Sequence, residues 1–180
     1  MKYIKTDLPK ESMLFPDHSK YDYRDSFQYT LNVSPSQMDM LSIGRAFSQP
    51  GPEWFKRLFD FRNRIVKLFH LKTPDTDNKT QPGDDELEIG KRIGIFTLYA
   101  KTTQELILGE DDKHLDVRVS LLMHHSIEES SKTVITVSTV VKLNNRLGKV
   151  YFFFVKPFHR MFVPIVMKKN FEKMESTKQK

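Results

Sequence analysis

Cysteine is absent from this sequence of 180 residues, and glycine is scarce, with seven residues. Without cysteine the chain can have no disulfide framework, no thiolate nucleophile and no cysteine-ligated metal. None of the glycines form a G-x-G pair, which argues against the phosphate-binding loops of nucleotide enzymes. A G-x-S-x-G nucleophile motif and an H-E-x-x-H zinc motif are also missing. The sequence therefore assigns no reaction, and we expect neither a cofactor nor a metal.

Long uncharged apolar runs are missing as well. A membrane-spanning helix needs about 18 or more such residues. The closest candidate, residues 150–167, contains Lys156 and Arg160 together with Pro157 and Pro164. No signal-peptide pattern follows Met1. We therefore expect a cytoplasmic protein without a membrane span.

Positive charge is concentrated at the C-terminal end. The chain has 29 basic and 23 acidic residues, a net charge of +6, but residues 142–180 hold ten Lys or Arg and only two Glu. Such a basic segment can indicate nucleic-acid binding. Because the sequence has no helix-turn-helix spacing, no RNP-like aromatic motif and no zinc ligands, we interpret it as a solvated helix face and expect no nucleic-acid partner.

The residues that are present are those of one globular domain. Hydrophobic residues make up 38% of the chain and aromatic residues 12%, which is too apolar for a disordered protein. We divide the chain into an irregular N-terminal arm (residues 1–22), a single domain (residues 23–175) and a disordered tail (residues 176–180).

Helix and strand signals alternate in the first half of the domain. Period-two alternation from Tyr23 onwards predicts a strand. The sequence SPSQ at 34–37 predicts a capping box that opens a helix ending before Gln49. A second, longer helix is predicted from about residue 52, and we assign structural roles to its Trp54 and Arg62. The polar stretch 72–88 predicts a loop.

The second half of the domain predicts a sheet followed by a helix. Residues 91–144 alternate as strands joined by short turns, which is typical of an antiparallel meander. The turn at 109–113 includes Asp112, which we expect to hydrogen-bond its own backbone and fix the hairpin. Residues 146–175 predict a long C-terminal helix. The fold class is therefore α+β.

The C-terminal helix is apolar on more than one side. The helical spacing predicts that one face packs on the sheet, formed by Leu147, Tyr151, Phe154, Phe158, Met161, Phe162 and Ile165. Four apolar residues flank the opposite, basic side: Phe152, Phe153, Val163 and Met167. These four admit three explanations, namely burial nearly all round, pairing in a homodimer, or contact with a membrane surface. We favour burial and rank membrane contact last.

Two prolines lie inside this predicted helix. Pro157 and Pro164 each remove a backbone donor, which favours a kink. We expect a bend near residues 153–157 that faces the sheet and widens the space beneath Phe158. Pro157 is therefore assigned a structural role.

Three segments carry a resemblance to known proteins. They are PEWF at 52–55 with the following Arg62 and Asn63, ELILGEDDKHLD at 105–116, and VKPFHR at 155–160. Together they resemble an uncharacterised bacterial domain-of-unknown-function family. The element order resembles the helix-grip fold of the START and birch-pollen-allergen-like (SRPBCC) superfamily. The resemblance implies a curved antiparallel sheet around the C-terminal helix, with two helices after the first strand.

That resemblance also implies a cavity between the sheet and the last helix. We expect a noncatalytic protein that binds an unknown apolar or amphipathic small molecule there. The candidate lining residues are Tyr99, Arg118, Tyr151, Phe154, Phe158, His159 and Phe162. Arg118 reaches the cavity only if its strand is turned, since alternation otherwise places it on the surface. The alternatives are an enzyme of the same fold, cyclase-like or hydrolytic, that uses His159 or Arg118, and a protein-interaction module without a cavity.

Overall fold

The computed structural model describes residues 3–49, 87–125 and 131–178. These residues form a curved seven-stranded antiparallel sheet with a long C-terminal helix, an α+β arrangement consistent with the predicted helix-grip fold. The strands are β1 (Tyr3–Thr6), β2 (Tyr23–Leu31), β3 (Arg92–Ile93), β4 (Phe96–Lys101), β5 (Glu105–Asp111), β6 (Leu115–His125) and β7 (Thr133–Leu143). The helices are α1 (Met40–Ser48) and α2 (Arg146–Lys178), with short 3-10 helices at His18–Lys20 and Pro35–Gln37.

The strands follow the order β1-β2-β7-β6-β5-β4-β3, and every neighbouring pair is antiparallel. Strands β3 to β7 form the predicted meander. Its last strand, β7, pairs with β2 from Tyr23↔Val141 to Leu31↔Thr133. The prediction of an irregular N-terminal arm is wrong in part, because residues Tyr3–Thr6 form β1 and pair with β2 at the sheet edge.

Alternation decides which side chains of the sheet face α2. In β6, Val119 and Leu121 belong to the same buried cluster as Val166 and Phe171 of α2. Arg118 lies on the opposite face, where its guanidinium remains partly exposed. The period-two pattern of β6 therefore predicted both faces correctly.

The N-terminal arm covers the sheet face opposite α2. Leu14 packs there against Ile107 and Val140. The buried carboxylate of Glu105 accepts hydrogen bonds from the Ser12 hydroxyl at 2.6 Å, the Met13 amide at 2.9 Å and the Ser120 hydroxyl at 2.5 Å. Three donors satisfy this carboxylate, and they attach the arm to two strands of the sheet.

The predicted capping box does not form. Residues Pro35–Gln37 make a separate 3-10 helix, and α1 starts at Met40 with Asp39 as its N-cap. Asp39 accepts hydrogen bonds from the Ser42 amide and the Ser42 hydroxyl, both at 2.7 Å. Although partial burial opposes it, these bonds lower the pKa of Asp39, with a contribution from Lys178. The N-terminus of α1 is therefore capped by Asp39, and not by Ser34 of the predicted SPSQ capping box.

The start of α2 is attached to the β5–β6 turn. The Asn145 side chain caps the helix by accepting the Gly148 amide at 3.0 Å, and it lies 3.1 Å from His114 Nδ1. At Gly148 a Cβ atom would overlap the backbone carbonyl of His114. Only glycine permits this close approach, so the first turn of α2 has its rotation set by the turn beneath it.

The prediction of which face of α2 packs on the sheet is wrong. Of the seven residues predicted to form that face, Tyr151 is buried and Phe162 is half-buried, whereas the other five are exposed. The buried residues of α2 are Gly148, Tyr151, Phe152, Pro164, Val166, Met167, Asn170 and Phe171. Phe152 and Met167, assigned to the opposite side, pack into the core, while Phe153 is 74% exposed. Burial thus accounts for Phe152 and Met167 but not for Phe153.

Other boundaries also differ from the predictions. The helix continues to Lys178, so residues 176–178 are helical rather than a disordered tail. Pro157 is exposed and Pro164 is buried, both within one continuous helix, and the bend near residues 153–157 stays a prediction. Strand β5 extends to Asp111, which shortens the turn to residues 112–114.

Several predictions lie outside the described residues. They concern the second helix from about residue 52 with Trp54 and Arg62, most of the polar loop at 72–88, and residues 126–130 of the turn before β7. Within the described part, α2 is the one helix long and apolar enough to cross a membrane by length and composition, a property that the core helices of soluble proteins share.

We predict that Gly148→Ala destabilises the fold. Helix propensity alone would stabilise an alanine by about 1 kcal/mol. The overlap with the His114 carbonyl should instead cost several times as much, since well-packed sites accommodate extra atoms poorly. Urea unfolding shows whether the substitution lowers or raises the free energy of unfolding. Lys149→Ala, on the next and exposed residue, is the control, and a stabilised Gly148→Ala variant would show that this contact does not set the helix position.

Candidate functional site

Two polar side chains interrupt the apolar inner face of β2. Tyr23, Asp25, Phe27 and Tyr29 alternate along the strand and point towards α2, and all four are buried. The Tyr23 hydroxyl donates to Asp25 Oδ2 at 2.6 Å. This bond joins two residues on the same face of one strand, so the sequence of β2 alone positions it.

The carboxylate of Asp25 is almost completely buried, with its side chain 1% exposed. Its Oδ2 atom accepts the Tyr23 hydroxyl, but its Oδ1 atom has no hydrogen-bond partner among the described residues. Asp25 lies opposite Thr139 of β7, which is also buried. A half-satisfied buried carboxylate is rare, because removing a charge from water costs several kcal/mol unless donors replace the lost hydration.

His159 of α2 lies above this carboxylate. Its Nδ1 atom is 3.2 Å from Asp25 Oδ2, and its side chain is 20% exposed. The contact is close but the ring N–H is not directed at the carboxylate, so Nδ1 also lacks an aligned hydrogen bond. The Tyr23 ring meets the imidazole edge-on at 6.1 Å. We call Tyr23, Asp25 and His159 the inner polar cluster.

Aromatic and basic side chains surround the inner polar cluster. The Phe152 ring packs against Tyr23 at 4.9 Å, and Lys156 Nζ lies 5.3 Å from the centre of the Tyr23 ring. Burial raises the pKa of Tyr23, and its hydrogen bond to Asp25 raises it further. Tyr23 therefore stays protonated and acts as a hydrogen-bond donor at neutral pH.

The cluster combines an acceptor, an imidazole and a fixed donor. Asp25 Oδ1 can accept one more hydrogen bond, and His159 presents one ring nitrogen to Asp25 and the other away from it. In hydrolases the imidazole of a general base donates a hydrogen bond from Nδ1 to a carboxylate, whereas here Nδ1 lies 3.2 Å from Asp25 Oδ2 without that alignment. In the part of the chain that the structure describes, no group of three His, Asp or Glu side chains is placed to hold a metal ion.

The structure separates the predicted lining residues into four places, three of them on α2. His159 lies in the inner polar cluster, and Tyr151 is buried on α2. Phe154 and Phe158 are exposed, with Phe158 stacked on the half-buried Phe162 at 6.2 Å. The aromatic face predicted to line a cavity therefore points mainly away from the sheet.

Tyr99 and Arg118 form a separate group on the sheet face opposite α2. Arg118 makes two hydrogen bonds to Asp111, at 2.6 and 3.1 Å, and its guanidinium lies 3.9 Å from the centre of the Tyr99 ring. The Tyr99 hydroxyl donates to Asp111 at 2.8 Å. Arg118 lowers the pKa of Asp111 chiefly through these hydrogen bonds. The guanidinium fork already holds a carboxylate of the chain itself.

A groove of about 190 Å³ adjoins this group. It lies between the N-terminal arm and the sheet, and its walls carry both signs of charge: Asp17, Lys20, Tyr21, Asp116, Arg118 and Lys142. Lys20 pairs with Asp17 at 2.5 Å, which leaves no single sign dominant. The groove is therefore a weaker candidate than the inner polar cluster.

Comparison with known proteins identifies a family. Residues 18–166 match the model of the family described as "Protein of unknown function (DUF2867)". The chain belongs to this family. The matched range includes all of the inner polar cluster, from Tyr23 on β2 to His159 on α2. A search of curated proteins found no match.

Tyr23 and Asp25 of this DUF2867 domain were missed in the sequence. Phe27, Tyr29 and Leu31 indicated the strand, and extending the same alternation backwards places Asp25 in the buried phase. A charged residue at a position that the alternation predicts to be buried could therefore have identified Asp25 as a candidate site residue. Asp112, by contrast, behaves as expected, since its side chain accepts the His114 amide at 3.0 Å.

We predict that Tyr23→Phe weakens the loss of stability at alkaline pH. The pKa of Tyr23 is higher in the folded state than in the unfolded chain. As pH rises above about 10, this tyrosine therefore ionises in the unfolded chain but stays protonated in the folded protein. The free energy of unfolding falls over that pH range as a result. Each such tyrosine contributes up to about 1.4 kcal/mol per pH unit. Urea unfolding between about pH 8 and pH 11 should show a smaller decline in the variant. Parallel declines in both proteins would contradict the buried, protonated state of Tyr23.

Proposed function

We propose that this protein binds an amphipathic small molecule between the sheet and α2, with a hydrogen-bond donor of the ligand directed at Asp25. The observation that carries the proposal is the Asp25 Oδ1 atom, which is buried and has no partner among the described residues. A bound hydroxyl or amine would supply the missing hydrogen bond. The ligand would thereby offset part of the cost of burying the carboxylate.

The surroundings favour a ligand with an apolar body. Phe27 lies next to Asp25 on the same face of β2, and Phe152 lies on α2 against Tyr23; both are buried. His159 is the partly exposed member of the cluster, so the ligand would enter beside its ring. Apolar walls with a few convergent polar groups are typical of small-molecule sites.

The resemblance to the SRPBCC superfamily supports the same proposal. Many members of that superfamily bind apolar or amphipathic molecules between the sheet and the C-terminal helix. This support is an analogy between folds and names no ligand. The chemistry of the proposed ligand comes instead from Asp25: a donor at one end, and an uncharged or positively charged group rather than an anion.

The contact between His159 and Asp25 favours a second candidate, a hydrolytic enzyme. In such an enzyme Asp25 would hold the imidazole so that its outward nitrogen removes a proton from water. The distance of 3.2 Å between His159 Nδ1 and Asp25 Oδ2 is within hydrogen-bond reach. Catalytic contacts of this kind are often poorly aligned before a substrate binds.

We predict that Asp25→Asn reduces ligand binding without reducing stability. Removing the charge should lower the affinity about 10- to 100-fold, because a hydrogen bond to a charged group contributes about 1.5–3 kcal/mol. The same change removes a half-satisfied buried charge, so the urea midpoint of the ligand-free protein should stay equal or rise. Two measurements report binding: native mass spectrometry of full chain purified without detergent, and titration with the neutral fluorophore N-phenyl-1-naphthylamine, which carries an N–H donor.

Asp7→Asn is the matched control, because Asp7 is exposed on the N-terminal arm. It should leave both binding measurements unchanged. If Asp25→Asn binds the fluorophore as well as the unchanged protein and also unfolds more easily, Asp25 has only a structural role. Absence of any co-purified molecule together with absence of fluorophore binding would reject the binding function.

The enzyme candidate has a separate test. Hydrolysis of p-nitrophenyl butyrate by the full chain should disappear in His159→Gln, because this variant lacks the nitrogen that would remove a proton from water. Ligand binding without such hydrolysis supports the noncatalytic binder. Hydrolysis that persists in His159→Gln rules out this residue as the base.

A further inference from the structure

The outward side of α2 carries a continuous row of exposed apolar residues. We call it the outer strip, formed by Val150, Phe153, Phe154, Phe158, Met161 and Ile165, which are between 40% and 74% exposed. At 1.5 Å per residue the strip is about 23 Å long. Single exposed apolar residues are ordinary, but a contiguous row of this length marks an interaction surface.

Positive charge accompanies the outer strip along its whole length. Residues 146–171 contain six Lys or Arg and no Asp or Glu. Lys149 and Arg160 form a basic row on the same side of the helix as Phe153, four residues before it and seven residues after it. Lys149 and Arg160 are exposed. The surface that meets the outer strip must therefore be both apolar and negatively charged.

A second copy of the chain fits this requirement poorly. Two outer strips packed symmetrically would bring the basic rows of both helices to one interface with no acidic residue from either strip to compensate. An anionic lipid bilayer fits better, because its headgroups attract lysine and arginine while its acyl chains take up phenylalanine and methionine.

The opposite side of α2 decides how the helix meets a bilayer. Phe152, Val166 and Phe171 are buried in contact with the sheet and the core. Insertion across the membrane would remove these side chains from their partners. Contact through the outer strip alone leaves the fold intact and places the helix parallel to the membrane plane.

We infer that this protein binds anionic membrane surfaces through the outer strip of α2, which lies in the interfacial plane with its basic row at the lipid headgroups. The inference does not depend on the ligand site, because the outer strip and the inner polar cluster occupy opposite sides of the helix. It assigns a role to Phe153, whose exposure the packing of the described residues leaves unexplained.

Vesicle co-sedimentation of the full chain tests the inference. The protein should bind phosphatidylcholine vesicles that contain about a quarter phosphatidylserine at about 0.15 M salt, and should bind pure phosphatidylcholine much more weakly. Binding should fall at about 1 M salt, where the headgroup charge is screened. Phe153→Ser/Phe158→Ser should reduce the apparent affinity at least about tenfold. Lys149→Gln/Arg160→Gln should reduce it about thirtyfold.

Two matched substitutions serve as controls. Ile4→Ser removes an exposed apolar residue of β1, and Lys142→Gln removes an exposed lysine on the sheet face opposite α2. Both should bind like the unchanged protein. The inference is overturned by failure to bind anionic vesicles, by equal binding to both vesicle types, or by binding that survives Phe153→Ser/Phe158→Ser. A dimer in sedimentation velocity that this double variant dissociates, without vesicle binding, would assign the outer strip to a second copy instead.

Discussion

The rotation of α2 about its own axis is the constraint on which the rest of the structure depends. It is set at the start of the helix, where the Asn145 cap and the Gly148–His114 approach attach the first turn to the β5–β6 turn. From that point the helical period carries His159 over the sheet and Phe153 away from it. A rotation of α2 by half a turn would exchange the two faces, which would separate His159 from Asp25 and bury the outer strip.

The two buried carboxylates of the sheet differ in how completely they are hydrogen-bonded. Glu105 receives three hydrogen bonds from Ser12, Met13 and Ser120, so its burial is compensated and it attaches the N-terminal arm. Asp25 receives one aligned bond and retains a buried oxygen without a described partner. A buried carboxylate oxygen without a donor costs free energy, and this cost at Asp25 is the observation on which the proposed ligand contact rests.

Much of the sheet could be predicted, whereas the candidate site could be predicted only in part. The faces of β6 followed from its alternation, and His159 was selected from its position on the last helix. Asp25 was overlooked although it occupies the buried phase of β2, and its contact with His159 joins the first long strand to the last helix. A helical wheel selected the wrong face of α2, because this helix is apolar nearly all round and apolarity alone cannot choose a side. Gly148, which lacks a side chain, carried the decisive information, and it does so only through its contact with His114.

The sequence by itself determined the α+β class, the antiparallel meander of β3 to β7 and the long C-terminal helix, because these follow from local periodicity and short connections. The tertiary structure alone decided which side of α2 meets the sheet, where Asp25 finds its neighbours and which phenylalanines remain exposed. These outcomes depend on contacts between residues far apart in the chain. Local patterns specify where a side chain lies on its own helix or strand, but they do not specify what that face packs against.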